Sequence, residues 1–150
     1  MLISFCTYDD VLDLLAVESA CFDEPWTERM FADELAAQGV FYLKASDGGR
    51  TVGFIGVRTV LDEANVNNIA VMPGYRRAGV GKRLIENAFG TLAEQGVKSV
   101  YLEVDTENTA AIGLYAGFGF VPVGKIAEYY PNGNDAYLLK CNMLDGQAKK

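Results

Sequence analysis

Two glycines separated by one residue stand at the junction between an apolar segment and a helical one. The apolar residues 68–72 are typical of a strand, and the residues after Gly81 have helical periodicity. Gly79 and Gly81 allow the backbone to turn tightly and to approach a ligand closely. The first N–H groups of a helix point outward, and the helix dipole adds partial positive charge. With Arg76 and Arg77 beside the turn, this segment predicts an anion site, and phosphate is the anion that suits it best.

Two other phosphate-binding motifs match this segment only in part. The phosphate loop requires Gly, four residues and Gly-Lys-Ser/Thr, but Arg76 and Arg83 occupy the two outer positions. The dinucleotide-binding fingerprint requires a third glycine where Leu84 stands, although Glu103 lies at a suitable distance for its ribose-binding acid. The dinucleotide interpretation stays open, and so does a glycine turn that only caps a helix beside solvated arginines.

The composition limits the chemistry that this chain can perform. Its 150 residues suit one core, so we expect a single domain over residues 1–150 with a frayed end at 146–150. The net charge of −7 argues against a nucleic-acid partner, which needs a basic face. Histidine is absent, which removes His-activated nucleophiles and most catalytic zinc sites. Three separated cysteines indicate a reducing compartment, and without a leader or a membrane-spanning run we expect a cytoplasmic protein.

Hydrophobic periodicity and turn residues divide the chain into helices and strands, whose order predicts an α/β protein with a mixed sheet flanked by helices. Thr27 has the chemistry of a helix cap, and Asp47-Gly48-Gly49 predicts a hairpin turn. The second helix is expected to bury Met30, Phe31 and Leu35. Helices are predicted from Asp9 or Asp10 through Ala20, from Thr27 to Gly39, and over Val80–Gln95 and Asn108–Ala116. Strands are predicted over Leu2–Thr7, Val40–Ala45, Thr51–Leu61, Ala64–Met72, Val97–Val104, Val121–Tyr129 and Ala136–Met143.

Several segments resemble the GNAT N-acetyltransferases. Residues 76–81 match that family's coenzyme A pyrophosphate loop, Gln/Arg-x-x-Gly-x-Gly/Ala, and residues 108–120 are similar to its segment of Asn, Ala-Ile-x-Leu-Tyr and Gly-Phe. Pro25-Trp26-Thr27 and Tyr129-Tyr130-Pro131 resemble the RimI-type branch, whose members acetylate the α-amine of a ribosomal protein alanine. The resemblance covers about residues 2–144. It implies the GNAT fold, a mixed and mostly antiparallel sheet of about seven strands flanked by about four helices.

The resemblance implies acetyl-CoA as the co-substrate and no metal. The pyrophosphate would bind the backbone amides of the glycine loop, with added charge from the two arginines and Lys82. The pantetheine arm would run beside the end of the preceding strand, as an additional strand would. Asn108 would cap the later helix and contact the coenzyme. The implied coenzyme-binding residues are Ile69, Ala70, Val71, Arg76, Arg77, Ala78, Gly79, Val80, Gly81, Lys82 and Asn108.

The resemblance also assigns two catalytic residues, Glu103 and Tyr115. Glu103 lies at the end of an apolar strand, where partial burial would raise its pKa and make it a better base toward the attacking amine, acting through water. Tyr115 would protonate the departing sulfur or donate a hydrogen bond to it. From position alone, Glu103 fits a solvated strand end equally well, and Tyr115 fits a tyrosine packed on the core.

Acceptor recognition is implied for Trp26, Tyr129 and Tyr130, which would line a groove for a protein N-terminus; the same rings could instead pack between loop and sheet. Glu24 or Asp135 would attract a cationic acceptor. We therefore expect direct acetyl transfer to a protein α-amine, with a ribosomal protein as the partner and neither nucleic acid nor membrane. Two alternatives stay open: a small amine as the acceptor, such as a polyamine or an aminoglycoside, and a coenzyme A-binding module without catalysis.

Overall fold

The computed structural model describes residues 1–143, in which the strands and helices follow the order predicted from the sequence. The strands are β1 (Leu2–Phe5), β2 (Val40–Asp47), β3 (Arg50–Val60), β4 (Glu63–Val71), β5 (Ser99–Asp105), β6 (Val121–Ile126) and β7 (Ala136–Asn142). The helices are α1 (Val11–Cys21), α2 (Glu28–Ala36), α3 (Val80–Glu94) and α4 (Thr109–Gly117), with short 3-10 turns at Tyr8–Asp10 and Pro73–Tyr75. The predicted frayed end at 146–150 lies outside the described residues. Across 1–143, we find no helix with the length and apolar character that a membrane crossing requires.

The strands form one mixed sheet in the order β1-β2-β3-β4-β5-β7-β6. β4 and β5 run parallel, whereas the pairs β1–β2, β2–β3, β5–β7 and β6–β7 are antiparallel. A parallel pair needs a long crossover connection, and α3 supplies it here. The predicted fold class, a mostly antiparallel sheet of seven strands flanked by four helices, is confirmed for the described part of the chain.

Contacts along the chain define two compact units. The first unit comprises Met1–Arg58 and Asn67–Thr91, and the second comprises Thr59–Val66 and the chain from Leu92 onward. The expectation of a single domain over residues 1–150 stays a prediction.

Aromatic rings fill the core of the first unit. Phe31 of α2 makes edge-to-face contacts with Tyr42 and Phe54, at centroid distances of 6.2 and 5.7 Å. Tyr42 is buried, and its hydroxyl donates a hydrogen bond of 3.2 Å to Oε1 of Glu34. Gly56 of β3 faces this ring so closely that an added Cβ at position 56 would collide with it. The lack of a side chain at Gly56 therefore leaves room for the Tyr42 ring.

Residues of β5 alternate between two faces in the second unit. Val100, Leu102 and Val104 are buried, whereas the residues between them are half-buried. This period of two is the strand pattern, and it places Glu103 and Asp105 on the same face. The alternation therefore decides which β5 side chains remain accessible for chemistry.

Tertiary contacts change several local predictions. Asp10 makes no side-chain cap for α1; instead Thr7 caps the preceding 3-10 turn, and the Asp10 carboxylate accepts the Thr7 N–H at 2.8 Å. Met30, predicted to be buried, is 43% exposed, because α2 buries only Phe31 fully. The predicted helix end at Gly39 was also wrong, because α2 ends at Ala36.

The strand predicted to reach Tyr129 ends at Ile126. Glu128 adopts a left-handed conformation with φ of 49°, which is incompatible with a strand. Its N–H donates to Oδ1 of Asp135 at 2.9 Å. The residues 127–135 between β6 and β7, which we call the tyrosine loop, are thus drawn away from the sheet ladder.

Substitution of Gly56 by alanine should destabilise the protein, because the buried Tyr42 ring cannot move without losing its packing. We expect a loss of about 1–3 kcal/mol in the free energy of unfolding, measured by urea denaturation. The matched control is Gly90→Ala within α3, where an added Cβ would meet nothing within 4 Å. That control should gain about 0.5–1 kcal/mol, because alanine is the better helix former. Equal stability of the two variants would contradict the close approach at Gly56.

Candidate active site

The glycine loop of the first unit connects β4 to α3 through two left-handed residues. Gly79 has φ of 81°, which a glycine adopts readily, and Arg77 has φ of 64°, which a residue with a Cβ rarely adopts. A left-handed non-glycine residue costs on the order of 1 kcal/mol, and such strain is concentrated at ligand-binding sites. The unusual backbone of Arg77 therefore supports the prediction of a binding loop.

The first backbone N–H groups of helix α3 have no carbonyl within the helix to which they can donate a hydrogen bond. The Arg83 N–H donates to the Gly79 carbonyl at 3.1 Å and makes the first hydrogen bond of the helix. The amides of Val80, Gly81 and Lys82 precede it and have no carbonyl four residues earlier in the helix. Ala78, Gly79 and Lys82 are exposed, so this helix start is open to solvent. The arrangement can bind an anion through amides and the helix dipole.

The cationic side chains of the loop differ in their arrangement. Nε of Arg76 donates a hydrogen bond of 3.2 Å to the carbonyl of Val71, which fixes the loop against the end of β4. Arg77 and Lys82 are exposed. Of the three β4 residues predicted to lie beside the pantetheine arm, Ala70 is buried, and Ile69 and Val71 are half-buried.

Glu103 lies on β5 of the second unit with its carboxylate half-buried. Burial raises the pKa of this carboxyl, and the hydroxyl of Tyr129 partly offsets the rise by donating to Oε1 at 3.4 Å. A raised pKa strengthens a carboxylate as a base. The partial burial predicted for Glu103 from its strand position is therefore present.

Tyr115 is buried near the end of α4. Its ring contacts Phe120 edge-to-face at a centroid distance of 5.9 Å, and only 6% of the residue is exposed. Burial raises the pKa of its phenol to about 12. At neutral pH the hydroxyl therefore keeps its proton and can donate a hydrogen bond.

The tyrosine loop presents Tyr129 and Tyr130 beside Glu103 in the second unit. The two rings meet edge-to-face at 4.9 Å, and burial raises the pKa of both phenols. Nδ2 of Asn134 donates to both carboxylate oxygens of Asp105 at 3.1 Å, which fixes the loop to the end of β5. The structure therefore brings the predicted base and two predicted acceptor residues together.

The Asp105–Asn134 pair was not predicted from the sequence. In the structure Asp105 lies on the same face of β5 as Glu103, but nothing local in the sequence indicated that a residue 29 positions later would bind it. Asp135, proposed to attract a cationic acceptor, instead accepts the N–H of Glu128 and pairs with Lys125 at 3.5 Å.

Two other predicted site residues have structural partners. Trp26, in the first unit, is half-buried and packs on Phe31 with ring centroids 5.2 Å apart, and its backbone N–H donates to Oε2 of Glu18 at 3.1 Å. Asn108 caps α4 as predicted, because its Oδ1 accepts the Ala111 N–H at 3.2 Å. Contacts of either residue with a ligand stay predictions. Across residues 1–143, no three Cys, Asp or Glu side chains cluster in a way that could hold a metal ion.

Known proteins share both the sequence and the fold. The family model described as Acetyltransferase (GNAT) family matches residues 11–120. The chain is 41% identical over 123 residues to N-alpha-acetyltransferase RimI of Mycobacterium tuberculosis, covering 79% of this chain and 76% of that protein. It is 38% identical over 117 residues to the ribosomal protein bS18-alanine N-acetyltransferase of Escherichia coli K12, covering 77% of each.

A solved structure agrees with these matches. The crystal structure of the ribosomal-protein-S18-alanine N-acetyltransferase from Escherichia coli superposes with a TM-score of 0.89 at 33% identity, covering 94% of this chain and 92% of that one. The similarity to RimI-type enzymes inferred from the motifs is thereby confirmed. Because the family model matches most of this chain, the chain belongs to the GNAT family of acetyltransferases.

Proposed function

We propose that this protein transfers the acetyl group of acetyl-CoA to the α-amine of an N-terminal alanine, with a ribosomal protein of the bS18 type as the acceptor. The observation that carries the proposal is the 38% identity, over 77% of the chain, to an enzyme named for that reaction. A ribosomal acceptor is consistent with the predicted cytoplasmic location, since ribosomal proteins are made there.

The glycine loop is the proposed site for the coenzyme pyrophosphate. The amides of Val80, Gly81 and Lys82 would donate to the phosphate oxygens, and the exposed Arg77 would add a full charge. Arg76 would contribute through its Nη atoms, which its hydrogen bond to Val71 does not use. The pantetheine amides would pair with the β4 backbone at residues 69–71.

Glu103 is the proposed general base. A protein α-amine has a pKa of about 7.7–8.0 and must lose a proton to attack. Its nitrogen forms a bond to the thioester carbonyl carbon, the carbon–sulfur bond breaks, and the proton leaves the nitrogen for the Glu103 carboxylate directly or through water. Burial of Glu103 supports this role because it raises the pKa of the carboxyl.

Tyr115 is proposed to act on the departing sulfur. A thiol has a pKa of about 8.5, so a phenol with a pKa of about 12 is the weaker acid. Full proton transfer from Tyr115 to the thiolate would therefore run uphill. We infer that the hydroxyl stabilises the thiolate by hydrogen bonding, and that the thiol proton is finally supplied by solvent.

The acceptor N-terminus is proposed to contact the tyrosine loop, and Trp26 of the first unit stays a predicted acceptor contact. Tyr129 is positioned for this role because its hydroxyl bonds to Glu103 while 47% of the residue remains exposed. Tyr130 packs against it, so the two rings can act as one surface.

The acceptor class can be tested with a panel of amines. A peptide that begins with alanine should release coenzyme A thiol in the presence of the protein and acetyl-CoA, with mass spectrometry locating the acetyl group on the α-amine. The same peptide with a blocked N-terminus is the control and should not react. Acetylation of a polyamine or an aminoglycoside instead would establish a small-molecule enzyme. Coenzyme binding without transfer to any amine would establish a binding module.

Glu103→Gln should lower kcat at pH 7 by about 10²–10⁴-fold while leaving the dissociation constant of acetyl-CoA unchanged. In the folded state the raised pKa means that ionised Glu103 opposes folding at pH values above that pKa, so the variant should unfold at the same or a higher temperature. Wild-type kcat should fall on acidification, at a pH above the ordinary glutamate value of about 4.3. The control is Glu107→Gln, which removes an exposed charge nearby. Equal turnover of Glu103→Gln and wild type would exclude Glu103 as the base.

Gly79→Ala should weaken acetyl-CoA binding about tenfold in titration calorimetry, because alanine at φ of 81° strains the loop by about 1–2 kcal/mol. The control is Gly74→Ala in the same loop, where the added Cβ also meets nothing within 4 Å and φ is not in the left-handed region. If both variants bound acetyl-CoA like the wild type, the glycine loop would not be the coenzyme site.

A further inference from the structure

Glu18 is a buried carboxylate in the last turn of α1. It is 2% exposed, and all its contacts described here lie within the first unit. Its Oε1 accepts a hydrogen bond of 2.9 Å from Nδ2 of Asn68, and its Oε2 accepts one of 3.1 Å from the backbone N–H of Trp26. Among residues 1–143, no lysine or arginine forms an ion pair with it. Two neutral donors therefore satisfy the carboxylate, and each oxygen serves a different segment.

The two donors belong to segments with separate proposed roles. Trp26 precedes α2 and is a proposed acceptor contact. Asn68 lies on β4 immediately before residues 69–71, which are proposed to bind the pantetheine arm. Sγ of Cys21, one turn after Glu18, adds a second connection by donating to the Val71 carbonyl at 3.2 Å. Hydrogen bonds from Asn68 and to Val71 thus fix the end of α1 to β4 at two points. Through Glu18, the Trp26 backbone is bound to the same end of α1.

We infer that Glu18 is a positioning residue, which holds Trp26 in place relative to β4 and so sets the affinity for the acceptor. Its role in acceptor binding rests on the proposed function, whereas its hold on Trp26 does not. Glu18 has only 2% of its surface exposed, so it acts through Trp26 and does not itself meet the acceptor.

As they are arranged, both partners of Glu18 need a hydrogen-bond acceptor. Asn68 and the Trp26 backbone each present an N–H donor, so both facing atoms at position 18 are acceptors. Glutamine alone would not test this, because the Asn68 amide could turn over and accept from its NH2 group. The variant Glu18→Leu removes both acceptor oxygens and leaves both N–H groups unpaired. The exchange Glu18→Gln with Asn68→Asp restores complementarity, because the new amide can accept from Trp26 and donate to the new carboxylate. The double variant also keeps the net charge of the wild type.

Trp26 is the single tryptophan of the chain, so its fluorescence reports the proposed effect without any enzyme assay. Glu18→Leu should shift the emission to longer wavelength and increase quenching by acrylamide, and the double variant should give the wild-type spectrum. The control Glu28→Gln, an exposed glutamate two residues after Trp26, should leave the spectrum unchanged. A wild-type spectrum for Glu18→Leu, or a shifted spectrum for the double variant, would overturn the inference. If the single variant does not fold, the double variant must fold and give the wild-type spectrum, and its failure to do so would also overturn it.

Kinetics with an alanine-initiated peptide test the second step. Glu18→Leu should raise the acceptor KM about tenfold, the effect of losing the hydrogen bond to the Trp26 backbone, while the KM for acetyl-CoA stays constant. The double variant should recover the acceptor KM. A variant with lower thermal stability but unchanged acceptor KM would reduce Glu18 to a structural residue. A wild type that does not acetylate the peptide would refute the proposed function, and the fluorescence results would still decide whether Glu18 holds Trp26.

Discussion

The parallel pairing of β4 and β5 is the constraint on which the rest of the structure depends. Two parallel neighbours cannot be joined by a tight turn, so the chain must leave β4, cross over and return in the same direction. Helix α3 makes that crossing, and its first turn necessarily exposes amides without helical partners. The exposed amides at the start of α3, where we propose an anion site, therefore follow from strand direction. In the glycine loop before them, Arg77 and Gly79 are left-handed.

Buried and partly buried polar side chains determine how the remaining segments are fixed. Glu34 accepts hydrogen bonds from Tyr42 at 3.2 Å and from Arg58 at 2.8 Å, which joins α2 to its neighbouring strands. Glu18 plays the corresponding part for α1. A buried carboxylate without partners would be strongly destabilising, so each of these groups specifies one arrangement of the elements around it. In the second unit a more exposed carboxylate, that of Asp105, fixes the tyrosine loop by accepting a hydrogen bond from Asn134.

Much of this architecture was accessible from the sequence, because its signals are local. The apolar run before Glu103 predicted its strand, the hydroxyl of Thr27 predicted its cap, and the turn at Asp47-Gly48-Gly49 was identified from its glycines. The features that were missed depend on residues far apart in sequence. Glu18 and Asn68 are 50 positions apart, and Asp105 and Asn134 are 29 apart, so no periodicity in the chain encodes their contact. The end of β6 at Ile126 and the exposure of Met30 were missed for the same reason, since tertiary contacts override local preference.

The opposite pKa shifts of two carboxyls on one strand separate two events during acidification. Burial raises the pKa of Glu103, whereas hydrogen bonds from the Glu107 backbone and from Asn134 lower that of Asp105. On acidification Glu103 is therefore protonated first, while the Asp105 carboxylate still accepts the hydrogen bonds from Asn134. Between the two titrations Glu103 is neutral while the tyrosine loop is still fixed through Asp105, so a return to neutral pH ionises Glu103 again without any refolding of the loop.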